Sequence, residues 1–125
     1  MKGSDFLMVQ LMRIETLALR ARCALAAARE IPDRADALRS AALRHAADLF
    51  KENSAWATSF AHLIRARATQ DRAEFHHSIE GFERAAMPLH AMAARYRAGE
   101  TELARKWMED HAVANPARMI DLLAP

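Results

Sequence analysis

His76, His77 and Glu80 are the residues whose types and spacing come closest to chemistry. On a helix, positions four apart stack one turn above the other, so His76 and Glu80 could hold a metal ion from one face. Adjacent positions diverge, and His77 points to a different side. A zinc site needs three or four ligands, and no third or fourth stands nearby in sequence. The group reads as a solvated, mildly pH-sensitive helix surface, with a metal site as the weaker alternative, and no cofactor is implied.

The remaining reactive side chains are isolated. His45 falls on an apolar helix face and is expected as a core histidine bonded to a neighbour, because no Ser, Cys or Asp stands with it in a supporting motif. His62, His90 and His111 are scattered and read the same way. Cys23 is the single cysteine, so no intrachain disulfide can form, which fits a reducing, cytoplasmic setting. Arg20 and Arg22 could lower its pKa, but among alanines it is expected as a small buried hydrophobe. Arg65, Arg67, Arg72, Arg84, Arg95 and Arg97 could form a basic face. Single-strand binding would need aromatics between them, and the aromatics here fall at core positions. The net charge is only +2, with acidic residues interspersed. That pattern reads as a solvated surface, and a nucleic-acid partner is not expected.

The elements that must position these residues are helices. The 125 residues suffice for one compact domain, and the composition, 52% hydrophobic and 27% charged, excludes disorder. Three glycines and four prolines are too few for the turns of an all-β fold. No run reaches the roughly 18 apolar residues that a membrane span requires. Ser4 or Asp5 can cap a long first helix over residues 6–31, with Phe6, Leu7, Leu11, Ile14, Ala18, Ala21 and Leu25 on one stripe and Pro32 at its end. Met8, Met12 and Leu19 widen that apolar sector, so Leu7, Met8, Leu11, Met12 and Leu19 are the partner-binding candidates.

A helical core follows over 33–99. Asp33 is expected to cap the second helix, whose face carries Leu38, Ala42, His45 and Leu49. Ser54 caps the third, with Trp56, Phe60, Leu63 and Ile64. Asp71 caps the fourth, with Phe75, Ile79 and Phe82, where Gly81 marks close approach of another helix. Pro88 opens the fifth and Gly99 closes it. Over 100–125, Thr101 is expected to cap a sixth helix with Leu103, Trp107 and Met108, and Asn115-Pro116 starts a seventh with Met119, Ile120, Leu122 and Leu123 on its face. Seven helices joined by short turns give an all-α fold of antiparallel pairs, of tetratricopeptide-like (α-solenoid) type, in a single domain over 1–125. The repeat signature is degenerate: Met87 stands where proline belongs, and Phe60 where a small residue belongs.

Three segments, S-A-W-A-T-S-F-A-H-L-I-R-A, F-E-R-A-A-M-P-L-H-A-M-A-A-R-Y-R-A-G and W-M-E-D-H-A-V-A-N-P-A-R-M-I-D-L-L-A-P, carry a resemblance. They are similar to the extreme C-terminal helical region of large bacterial signalling proteins that join a serine/threonine protein kinase domain, an ATPase module and a long tetratricopeptide-like tail. The resemblance covers roughly residues 10 to 125 and is most specific at Trp107-Met108, Asn115 to Met119 and Leu123 to Pro125. It implies a parent and no activity for this segment. Glycine-rich phosphate loops, a V-A-I-K lysine, H-R-D and D-F-G are all missing from the sequence, so no kinase or nucleotide-binding residue carries over. The expectation is a non-enzymatic interaction or scaffold module whose first helix meets adjacent repeats, a partner peptide or a second copy. The alternative is a fragment of a kinase or ATPase polypeptide. Because the chain opens on its own methionine, it reads either as a separately encoded tail or as a piece of a longer one.

Overall fold

A computed structural model describes residues 3–125, with side chains from residue 6 onward. Among the described residues every regular element is helical: α1 (Gly3–Glu30), a 3₁₀ turn (Pro32–Arg34), α2 (Ala35–Phe50), α3 (Ala55–Thr69), α4 (Arg72–Arg84), α5 (Pro88–Arg97), α6 (Thr101–Asp110) and α7 (Pro116–Leu123). Each helix from α1 to α5 packs against the next, α1 also touches α3, and α7 folds back onto α5. None of these helices is long and apolar enough to cross a membrane.

Local chemistry sets most of the boundaries. The Ser54 hydroxyl accepts from the Ala57 N–H, the Asp71 carboxylate from Ala73 at 2.9 Å, and the Asn115 amide oxygen from Arg118. Each satisfies an N–H that the first helical turn leaves unpaired. Pro88 and Pro116 take first-turn positions, where their missing N–H costs nothing. Two expected caps are not used. Asp33 lies inside the 3₁₀ turn that Pro32 starts, so Arg34 precedes α2 without a side-chain cap. Thr101 is already inside α6, with Glu100 ahead of it and again no side-chain cap. α1 begins at Gly3, ahead of Ser4 and Asp5, whose side chains lie outside the described residues.

The ends of α4, α5 and α6 share one device. Ala86, Gly99 and Ala112 each turn into left-handed backbone (φ 57°, 103° and 53°). The N–H that follows each, on Met87, Glu100 and Val113, bonds the carbonyl five residues back, on Phe82, Arg95 and Met108. This closure satisfies orphan carbonyls and reverses the chain within a few residues. Only Gly99 has the glycine that makes such a turn easy.

The core combines a few large rings with many alanines. Phe60 and Phe82 meet edge to face at 5.3 Å, and Trp56 leans on Phe60. Leu49, Leu63, Ile64, Phe75 and Ile79 surround them. Ala42, Ala46, Ala57, Ala61, Ala66, Ala91, Ala93 and Ala94 are completely buried. Their small side chains let neighbouring helices approach toward the short end of the usual ~8–10 Å spacing. Gly81 belongs to the same pattern: a Cβ there would lie 3.1 Å from Ser59 Cβ, so α3 and α4 touch at that point.

Candidate functional site

The α1 stripe splits into two parts. Ile14, Ala18, Ala21 and Leu25 are buried against the bundle. The N-terminal turns are not. α2 runs antiparallel to α1 and ends at Phe50, and the last ties between them are Gln10 Nε2 donating to the Glu52 carbonyl at 2.9 Å and the Arg13–Glu52 ion pair. Hydrogen bonding from Arg13 holds the Glu52 carboxyl below its usual range. At and beyond that tie, Leu7, Met8 and Met12 are 57–63% exposed, and Phe6, Val9 and Leu11 are exposed with them. Leu19 is also exposed, on the sector that Met8 and Met12 share at helical spacing. The partner-binding candidates thus form one open apolar surface, though Phe6, Leu7 and Leu11 do not continue the buried stripe. Leu7, Gln10, Leu11, Ile14, Ser54 and Trp56 line a groove of about 280 Å³ on its flank, and the Trp56 indole N–H has no hydrogen-bond partner.

The histidine–glutamate group does not come together as a ligand set. His76, His77 and Glu80 are all exposed. His76 borders a cavity of about 340 Å³ with Arg72, Phe75 and Glu100, whereas the His77 ring lies on another side, 5.0 Å from His62. His62 is bonded to Glu74 through Nδ1. Among the described residues no group of three or more His, Cys, Asp or Glu is placed to hold a metal ion. His45 is half-buried at the edge of α2, short of the core. Cys23 is exposed, which corrects the expectation of burial: it sits two positions from both Ala21 and Leu25, off the buried face.

His90 is the histidine that the core captures. Its ring packs 5.5 Å from Phe60 and 5.4 Å from Phe82. Burial first, and the nearby Arg22 second, depress its pKa below the ordinary 6.5. The folded state therefore resists protonation, while the unfolded chain protonates near 6.5. Stability present above pH 6.5 falls as the pH drops from there toward the lower folded-state value. Denaturant titrations across pH 5–7.5 should show that decline, and His90→Leu should flatten it. Loss of the Glu52 contribution belongs to a separate window, below the usual carboxylate range.

The arginines divide between paired and unpaired. Arg95 bridges Glu83 and Glu100, and Arg65 approaches Glu74. Arg97 holds Asp121 at 2.7 Å, so much of the positive charge of this set is paired with nearby carboxylates. Arg22, Arg67 and Arg97 instead converge on the end of the chain: Arg22 Nη1 donates to the Leu122 carbonyl at 3.0 Å, Arg97 Nε to Ala124 at 2.7 Å and Arg67 Nε to Pro125 at 2.6 Å. Ala124 and Pro125 are buried beneath them. Leu122 is exposed, as is Leu103 on α6, where Ala104 takes the buried position. Sequence reasoning missed this clamp, because its partners lie 100, 58 and 27 residues apart. No protein-family model, curated protein or solved structure matches the chain.

Proposed function

We infer that the chain is a non-enzymatic helical interaction module, and that its open α1 surface docks a second apolar helix face. The observation that carries this is the run of exposed Phe6, Leu7, Met8, Val9, Leu11 and Met12 on the N-terminal turns of α1. With Leu19 they leave much of the N-terminal half of α1 apolar and open to solvent, and a clustered exposed apolar surface marks an interaction site more often than scattered single residues do. The two ends of the helical stack also differ. α7 and its buried tail cover one side, whereas the α1 end is apolar and uncovered. In stacked helical repeats, an end that stops the stack carries a polar outer face.

The occupant is another amphipathic helix pair of the same kind. In a signalling polypeptide of the type the sequence resembles, that pair is the neighbouring repeat, and the kinase or ATPase parts lie elsewhere in the parent. In the isolated chain a second copy takes its place. Light scattering over a concentration series should show dimers at high micromolar concentration, and the Leu7→Glu/Leu11→Glu variant should remain monomeric with unchanged helix content. A wild-type protein that stays strictly monomeric would overturn the reading.

A further inference from the structure

α1 is 28 residues long, and its buried residues Ile14, Ala18, Ala21 and Leu25 lie along one side. At 3.6 residues per turn, the line opposite them carries Val9, Met12, Thr16, Leu19, Cys23 and Ala26, at alternating steps of three and four. That alternation is the seam of a two-stranded coiled coil. Val9, Met12, Thr16, Leu19 and Cys23 are exposed, and Ala26 is half-buried. The one hydroxyl on the line needs no new partner, because Thr16 Oγ1 already donates to the Met12 carbonyl at 2.8 Å. Leu122 of α7 extends the apolar line: with Leu19, Cys23 and Ala26 it borders a depression of about 210 Å³.

The charges beside this seam select the helix that fits it and the direction it runs. Glu15 and Arg20 flank the seam on opposite sides and are both exposed. Among the described residues neither joins an ion pair. When two identical helices pair in parallel and in register, flanking residues with this offset meet across the seam. Glu15 of each copy then stands beside Arg20 of the other, twice over by symmetry. An antiparallel pair sets each flank against the same flank of the partner, so Arg13 and Arg20 face arginines. The parallel seam also matches like with like: Met12 meets Met12, Leu19 meets Leu19 and Cys23 meets Cys23.

We propose that a second copy of the chain pairs with α1 in parallel and in register along this outer seam. The pairing rests on the docking reading of the α1 surface, and fixes for it an orientation, a register and the crossed Glu15–Arg20 contacts.

The test uses the full chain at the concentrations of the light-scattering series. Diamide, which takes two electrons and two protons from a pair of thiols, should convert the wild-type dimer to a Cys23–Cys23 disulfide dimer on a non-reducing gel. Met12→Glu/Leu19→Glu should keep its helix content, remain monomeric and give no cross-link. Glu15→Arg should weaken dimerisation about tenfold, because two attractive flank contacts become repulsive, and Glu15→Arg/Arg20→Glu should restore it. A wild-type chain that stays monomeric overturns both the seam and the docking reading. A wild-type dimer that diamide does not cross-link, while Met12→Cys links residue 12 of one copy to Cys23 of the other, is antiparallel. That result overturns the parallel seam and leaves the docking reading standing, as does a dimer that survives Met12→Glu/Leu19→Glu.

Discussion

Replacing Phe82 by alanine should lower the free energy of unfolding by about 3–5 kcal/mol, the range for deleting a fully buried aromatic side chain. Phe82 is completely buried and closes the ring cluster of α3, α4 and α5 through Phe60 and His90. The small residues around it limit repair. The alanines that line the neighbouring helices have no long side chain to swing into the vacated volume, so the cavity term stays near its upper end. Against a typical domain stability of about 5–15 kcal/mol, the variant should unfold at a much lower urea concentration, with the cooperative transition followed by far-ultraviolet circular dichroism. A loss under about 1 kcal/mol would mean that the cluster is not the centre of the fold.

The second large effect is expected at Gly81. Valine there should destabilise by about 3 kcal/mol, at the upper end of overpacking, even though almost any residue has better helix propensity than glycine. The obstacle is Ser59 across the α3–α4 contact, whose hydroxyl donates to the Ala55 carbonyl at 2.7 Å and whose Cβ would stand 3.1 Å from the new Cβ. The hydroxyl can rotate away; the Cβ moves only with α3. Ser59→Ala should therefore relieve part of the strain, and a double-mutant cycle should return a coupling of about 1 kcal/mol. Strict additivity would place the cost of Gly81→Val somewhere other than this contact.

What the sequence discloses about this molecule follows range. Ser54, Asp71 and Asn115-Pro116 were legible as starts because a cap acts over three residues. Gly99 was legible as a stop because its backbone preference is intrinsic. The matching left-handed turns at Ala86 and Ala112 were not, since alanine gives no sign of them. Periodicity put Phe6, Leu7, Leu11, Leu103 and Leu122 on apolar faces but could not say whether a neighbour covers each one, and these five are exposed. Gly81 was read as a close helix contact, and it is one. The arginine clamp was out of reach, because arginines on α1, α3 and α5 look like ordinary surface charges until the tail is laid across them.

That clamp has a consequence for the order of events in folding. From α1 to α6 each helix finds its partner a few tens of residues away at most, so the stack can zip up locally, helix after helix, as the chain leaves the ribosome. The bond from Arg22 to Leu122 spans nearly the whole chain and can close only after everything between has been made. Until then the guanidinium groups of Arg22, Arg67 and Arg97 face water. Tail docking is thus the late step that ties the first helix to the last residues across a stack otherwise held by neighbour-to-neighbour contacts.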